Sequence, residues 1–468
     1  MSTQREKVPG IRREGSNVLG PSIEARMSQG KALRERVSRT SHAEWAAPSA
    51  RPDPIKVLRY SDRGRLPELL PIRYGRMRQS PFAFFRGSAA VMAWDLSKAP
   101  TTGIRVQACG DCHAANFGGF ASPERQLLFD INDFDETLPA PWEWDVKRLA
   151  ASVVLASREL GMGGGRCGDA VLKMASSYRQ HMREYAHMRA LEVWYSHMDA
   201  KVFIEEAKRV AARKRWQQVE EQARLQTAEH ILPKIAEVIN GRTRIVDHPP
   251  LVYHPRASEL MRKHVIQMFH RYRETLPGDR RVILDRYHII DVARKVVGVG
   301  SVGTRCDVAL LMASEHDPML LQFKEALPSV LEPYASKSRY ANHGERVVTG
   351  QRMLQSASDV FLGWTRDDKG RDYYFRQLRD MKMKIDLENM TKDAWLEYVE
   401  ICGWTLARAH ARTGDAALIG GYLGKNDTFD SALAKFAASY ADQAERDHTT
   451  LVKAIRAGRL KARNTADS

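Results

Sequence analysis

Apolar positions along the chain fall into two rhythms, one helical and one of short continuous runs, and the predicted elements follow from where each rhythm holds. WEWDVKRLAASVVLASREL (142–160) repeats its apolar residues at i, i+3 and i+4 and predicts a helix. SPFAFFRGSAAVMAWDL (80–96) predicts a helix entered through an aromatic-rich turn, GIRVQACGD (103–111) a short strand, and RQLLFDINDFDE (125–136) a strand bounded by acids. The stretch 166–280 reads as mostly helical and heavily charged, most clearly at 207–239. HIIDVARKVVGVGSVGTRCDVALLMA (288–313) and PMLLQFKEA (318–326) read as strands around a glycine-rich turn. A helix is expected from 336 through ANHGERVVTGQRMLQSAS (341–358), two strands around YYFRQL (373–378), and helices from TKDAWLEYVEICGWTLARAHAR (391–412) to the end.

Residues 1–55 carry Arg, Ser, Gly and Pro without sustained periodicity, so a mobile basic arm is expected there. At 468 residues and 43% hydrophobic content the remainder can bury two or three cores. RLAASVVLA and DVALLMA are far short of the roughly 20 apolar residues of a membrane span. The first twenty residues have no apolar core of a secretory signal, so a cytoplasmic protein with no membrane partner is expected. The five cysteines, Cys109, Cys112, Cys167, Cys306 and Cys402, are too few and too scattered for a disulfide framework. The net charge of +16 is spread along the chain and interleaved with acids, with no aromatic-basic module. Nucleic-acid recognition is therefore not expected, whereas a general preference for anionic ligands is.

The stretch CGDCHAANFG (109–118) has two incompatible readings. As Cys-x-x-Cys-His it is a haem attachment signature, but no export signal precedes it and an apolar strand runs directly into it. A zinc site lacks a second ligand pair at usable spacing, and a redox dithiol lacks its helix. Without its cysteines the same stretch places Asp111, His113 and Asn116 together, followed by Asp133 and Asp135 after a strand and Asp145 at a helix start. Phosphoryl transfer needs one carboxylate to orient the substrate hydroxyl, and an amide oxygen with further carboxylates to hold the metal that bridges the phosphates. Asp111 is the candidate base, and Asn116, Asp133 and Asp135 are the candidate metal ligands. Acids and amides at strand ends also cap turns, and the loop alone does not choose between these uses.

A second piece comes from GVGSVG (298–303), which lies between two apolar strands instead of before a helix and so resembles a strand-turn-strand flap over phosphates. Gly298, Gly300, Ser301 and Gly303 are its candidate contacts. On the next strand Lys324 needs an anionic partner if it is buried. Glu345 is the candidate partner, with Gln351 or Glu332 as alternatives.

With both pieces in hand the chain resembles the protein-kinase-like superfamily, especially the aminoglycoside and choline kinase branch with its H-G-D-x-H-x-x-N loop. More closely, RYGRMRQSPFAFFRG, CGDCHAANFG, FDINDFDET and PWEWDVKRLAAS resemble a bacterial family called domain of unknown function 2252, over roughly residues 55–450. The resemblance implies an α+β, two-lobe fold using ATP and magnesium. In it Asp111 is the base, Asn116 and Asp133 are magnesium ligands, Lys324 and the glycines form the nucleotide cradle, and Asp145 is the acid bracing the loop. Cys109 departs from the usual histidine. The motif order also departs, since the flap and lysine follow the loop by almost two hundred residues, and a circular permutation accounts for this. The implied division is an arm (1–55), a large lobe with a helical insertion walling the acceptor pocket (56–284), a small nucleotide-binding lobe (285–390) and helices returning to the large lobe (391–468). Asp133 and Asp145 are too close for a protein kinase's activation segment, so the expected acceptor is a small-molecule hydroxyl. Nucleotidyl transfer at the same site, or a non-catalytic nucleotide-binding module, are the alternatives.

Overall fold

The computed structural model describes residues 20–199, 221, 228–239, 242–256, 258–378 and 385–463. With 50% helix and 16% strand the protein is of mixed α and β class. From the N-terminus come α1 (Ile23–Arg36), α2 (Pro54–Ser61), α3 (Leu70–Met77), α4 (Pro81–Gly87) and α5 (Ala89–Leu96). Four short strands follow, β1 (Arg105–Ala108), β2 (Phe117–Ala121), β3 (Leu127–Ile131) and β4 (Leu138–Pro141), paired antiparallel as β1 with β4 and β2 with β3. Next are α6 (Trp142–Glu159), α7 (Gly164–His187), α8 (Ala190–Tyr195), α9 (Ala228–Ile235), β5 (Ala236–Ile239), β6 (Arg242–Ile245), β7 (Val252–Tyr253), α10 (Ser258–Arg273) and α11 (Gly278–Leu284). The chain then forms β8 (His288–Lys295), β9 (Cys306–Ser314), β10 (Asp317–Glu325), α12 (His343–Leu354), β11 (Gly363–Arg366) and β12 (Asp372–Gln377). It ends with α13 (Lys392–Thr413), α14 (Ala416–Leu423) and α15 (Thr428–Arg456).

Two main cores organise these elements. In the helical core α6 is buried on nearly every side, which its small and apolar residues Val146, Leu149, Ala150, Val153 and Val154 allow. The long helix α13 lays Trp395, Tyr398, Val399, Cys402 and Leu406, spaced by three and four residues, against the same core. The second core lies on a six-stranded antiparallel sheet in the order β11-β12-β10-β9-β8-β7. One face of it packs Val265, Met268 and Tyr272 of α10 against Leu311, Leu321, Phe323 and Phe375.

Three expectations change here. Residues 20–55 of the supposed mobile arm are folded, while residues 1–19 lie outside the described residues. Gly30 of α1 is pressed so close to α14 that a Cβ would sit 2.0 Å from the Leu418 carbonyl. Arg34 donates to the carbonyls of Gly421 (2.7 Å) and Tyr422 (2.8 Å), and Arg39 to that of Leu423 (2.7 Å). The segment therefore docks by capping the carbonyls that a helix end leaves unpaired, a use of arginine that leaves no apolar periodicity to read. Second, α10 and α11 pack on the sheet and not beside the candidate site, because α10 carries an apolar face of its own; β7, from the same stretch, joins that sheet. Of the stretch 207–239, residues 207–220 and 222–227 lie outside the described residues, and 236–239 form a strand. Third, the single helix expected over 80–96 breaks at Ser88 into α4 and α5.

Candidate functional site

The loop between β1 and β2 is held by one face of α6. Asp145 accepts from the amides of Cys109 (2.6 Å) and Gly110 (2.9 Å), Arg148 Nε donates to Asp111 Oδ1 (2.7 Å), and Ser152 Oγ accepts from the Ala114 amide (2.9 Å). These three residues are spaced i, i+3 and i+7, so a single stripe of the helix fixes the loop. Gly110 has φ +84°, and a Cβ there would lie 2.3 Å from the Glu136 carbonyl, so only glycine lets the two acidic loops approach. From α13, His410 Nε2 lies 3.3 Å from Asp145, and the other ring nitrogen is 2.9 Å from the Tyr178 hydroxyl. The LARAHAR helix thus packs beside this loop from almost three hundred residues away. All five cysteines are buried and unbridged.

Asp111, Asn116, Asp133 and Asp135 line one cleft with Gly298, Gly300 and Ser301. The cavity volume is about 100 Å³. Burial raises the Asp111 carboxyl above its ordinary value, against the opposing pull of the Arg148 guanidinium. Asn116 donates its amide hydrogen to the Asp111 carbonyl (2.7 Å); its Oδ1 can only accept. Asp133 Oδ1 accepts from the Asp135 amide (3.2 Å). None of the described residues between 166 and 280 lines the cleft.

The connection between β8 and β9 (residues 296–305) reaches across from the sheet and closes over these acids. Arg65 donates to the carbonyls of Gly300 and Val302, each at 2.7 Å, and Arg76 donates to that of Gly298. Ser301 Oγ lies 3.3 Å from Asp135 Oδ2 and accepts from Lys324 Nζ at 2.6 Å. Gly303, at φ +93°, turns the chain back toward β9 beside the Arg65 side chain, where its carbonyl accepts from the Leu66 amide (2.7 Å). Thus Gly298, Gly300 and Ser301 line the cleft with the acids, whereas Gly303 does not line it and only turns the chain beside Arg65.

Lys324 does not pair with Glu345. It forms its ion pair with Asp135, whose other oxygen accepts from the Tyr374 hydroxyl (2.8 Å). Tyr374 stands directly opposite Lys324 in the sheet register, which brings both to one carboxylate. Against the penalty of burial, Lys324 with Tyr374 holds the Asp135 carboxyl below its ordinary value, and Asp135 holds the Lys324 ammonium above its own. Glu345 lies in the first turn of α12, where Asn342 caps its amide. One residue on, a rotation of about 100° turns Arg346 toward the site instead. Arg346 donates to the carbonyls of Thr137 (2.7 Å), Asp135 (2.8 Å) and Leu327 (2.8 Å). The alternatives fail likewise, since Gln351 bonds Gln355 and Glu332 faces His343.

Sequence reasoning missed Arg148, Tyr374, Arg65 and Glu136. Arg148 was readable from its helical spacing to Asp145; the others depend on pairing and crossing of distant segments. Glu136 lines the cleft, accepts from the Val330 amide (2.7 Å), and is pushed up to about 7 by burial.

Among the described residues no group of three or more His, Cys, Asp or Glu side chains is arranged to hold a metal ion, and of the three candidate ligands Asp135 is engaged by Lys324 and Tyr374, which leaves Asp133 and the Asn116 amide oxygen as oxygen donors in the cleft. No curated protein and no solved structure matches the chain. Among the described residues no helix is long and apolar enough to cross a membrane. The profile of a family described as an uncharacterised protein conserved in bacteria matches residues 65–454, which include both acidic loops, the glycine connection and Lys324, and the chain therefore belongs to that family, DUF2252.

Proposed function

We propose that the protein is an ATP- and magnesium-dependent phosphotransferase of protein-kinase-like type, with permuted motif order, acting on a small-molecule hydroxyl. The observation that carries this reading is the meeting of Ser301 and Lys324 with Asp135, which lines the cleft together with Asp111, across separations of 166 and 189 residues. A glycine-rich connection between antiparallel strands, a strand lysine and two acidic loops are the parts needed to hold a nucleotide's phosphates beside a hydroxyl.

In this reading Asp111 accepts the acceptor's proton. Its raised carboxyl favours that role, because a base works best when its pKa approaches the working pH. Asn116 Oδ1 and Asp133 would hold magnesium, which when bound neutralises charge on the phosphates. Lys324 would exchange part of its contact with Asp135 for a phosphate oxygen, and the flap amides would cradle the phosphates. The interval from Asp133 to Asp145 is filled by a turn and β4, which leaves no segment of the length that positions a protein substrate.

One observation favours the non-catalytic reading, namely the engagement of Asp111 by Arg148. The test is nucleotide binding with and without magnesium, followed by turnover. Wild type should bind ATP only with magnesium, Asp133→Ala and Lys324→Ala should lose that binding, and Asp111→Asn should bind but lose turnover by on the order of 10² to 10⁴. Binding with no turnover over a broad acceptor panel would move the protein to the non-catalytic reading. The mass of the product separates phosphoryl from nucleotidyl transfer.

A further inference from the structure

The break between α4 and α5 leaves a polar feature for which the nucleotide reading has no use. Ser88 occupies the N-cap of α5, but its hydroxyl donates backward to the Phe85 carbonyl (3.2 Å) and caps nothing. The amides of Val91 and Met92 return to the Ser88 carbonyl, whereas those of Ala89 and Ala90 have no acceptor among the described residues. Both alanines line the cleft. Of the opposing carbonyls, that of Phe85 is taken by Arg148 (2.9 Å) and that of Gly87 by Arg73 (2.7 Å), while that of Arg86 would lie 3.0 Å from a Cβ of Gly300. The break therefore presents the amides of a helix start with two of its neighbour's terminal carbonyls already engaged by arginines.

A second observation points to the same place. His113 lines the cleft with its side chain 5% exposed. Its Nδ1 has no hydrogen-bond partner, and its Nε2 is 3.9 Å from Asp111, beyond hydrogen-bonding distance. A buried polar ring without a partner is costly unless a ligand supplies one. Arg73 and Arg86 line the cleft beside it.

We infer that this end of the cleft is an anion subsite, built from the α5 amides, His113 and Arg86, and that its occupant is a phosphate or carboxylate group carried by the acceptor. The inference rests on the phosphotransferase reading for the word acceptor, although the anion subsite does not. Asp111 Oδ2 is 3.9 Å from His113 and 3.9 Å from where a Cβ of Gly300 would be, and that Cβ would lie 3.0 Å from the Arg86 carbonyl, so the flap adjoins both the base and this end of the cleft. A hydroxyl held by an anionic group at His113 would lie at the base, with the flap beside it. An ammonium-bearing acceptor would instead meet the arginines.

The test is calorimetric titration of the full chain with inorganic phosphate, alone and with a saturating non-hydrolysable ATP analogue and magnesium. Phosphate should bind in both conditions. Arg86→Ala and His113→Ala should each weaken it roughly tenfold, the loss of one charge-assisted or buried hydrogen bond. Ala90→Asp, which puts a tethered carboxylate on the helix start, should abolish it, and the same variants should leave affinity for the analogue within about twofold. Absence of phosphate binding, or binding indifferent to all three variants, would overturn the subsite. Competition between phosphate and the analogue, with the variants weakening both, would assign the anion position to the nucleotide and overturn the acceptor assignment. If wild type binds phosphate in the expected variant-sensitive way but no nucleotide, the subsite stands and the phosphotransferase reading falls.

Discussion

Replacing Lys324 by methionine keeps the length of the side chain and removes its charge. Lys324 is 1% exposed and Asp135 24%, and among the described residues the carboxylate keeps the Tyr374 and Ser301 hydroxyls as hydrogen-bond donors once the ammonium is gone. Removing one partner of a buried ion pair costs about 3–5 kcal/mol, and the partial exposure of Asp135 places this case near about 3 kcal/mol. Urea unfolding followed by tryptophan fluorescence would read it. The double variant Lys324→Met with Asp135→Asn should recover most of the loss, because no unpaired charge then remains. The pH dependence carries a sign. In the wild type the Asp135 carboxyl is held below its ordinary value, so the pair stabilises at neutral pH and that contribution is lost as pH falls through the folded-state value. In Lys324→Met burial is opposed only by the Tyr374 hydrogen bond and the Arg376 charge, so the carboxyl rises from its wild-type value and this site loses less stability than in wild type on acidification from pH 7 toward 5. Additive single variants, or an acid response unchanged from wild type, would refute the pairing as the feature that joins the sheet to the acidic loops.

Gly110→Ala should lose about 2 kcal/mol or more, since alanine resists φ +84° and its Cβ would overlap the Glu136 carbonyl; a thermal melt within error of wild type would contradict this. Glu136, pushed up to about 7, binds a proton more readily folded than unfolded, so its contribution to stability falls as pH rises from about 4.5 to 7 and is flat above. Glu136→Gln should remove that slope from a pH series of unfolding midpoints. Asp145→Ala leaves the Cys109 and Gly110 amides without their acceptor, at about 1–3 kcal/mol each, and should accelerate hydrogen exchange at those two amides ahead of the rest of the helical core.

Much of this was readable because it is local. The stripe of Asp145, Arg148 and Ser152 is helical spacing, and the alternation of apolar strand and acidic loop marks where β1 and β3 end. Local pattern also placed the strands on either side of the glycine connection, since a strand must bury its own apolar residues wherever it goes. It failed where a residue's use is set by another segment. The arginines of α1 and its surroundings look like a solvated basic arm until the end of α14 is beside them. The run from Pro81 to Leu96 keeps helical composition through the break at Ser88, which depends on Arg73 and Arg148 taking the carbonyls of Gly87 and Phe85.

The choice of Asp135 over Glu345 as partner of Lys324 shows the division most clearly. By itself the sequence determined that a lysine on a buried strand requires an anion, because desolvating an ammonium unpaired is prohibitive. Only the tertiary structure decided which anion. The register of β10 on β12 sets Tyr374 opposite Lys324, the flap brings Ser301 over both, and the rotation of α12 presents Arg346 in place of Glu345. Charge need is a property of one residue in its element, whereas its satisfaction depends on the relative placement of segments 189 residues apart.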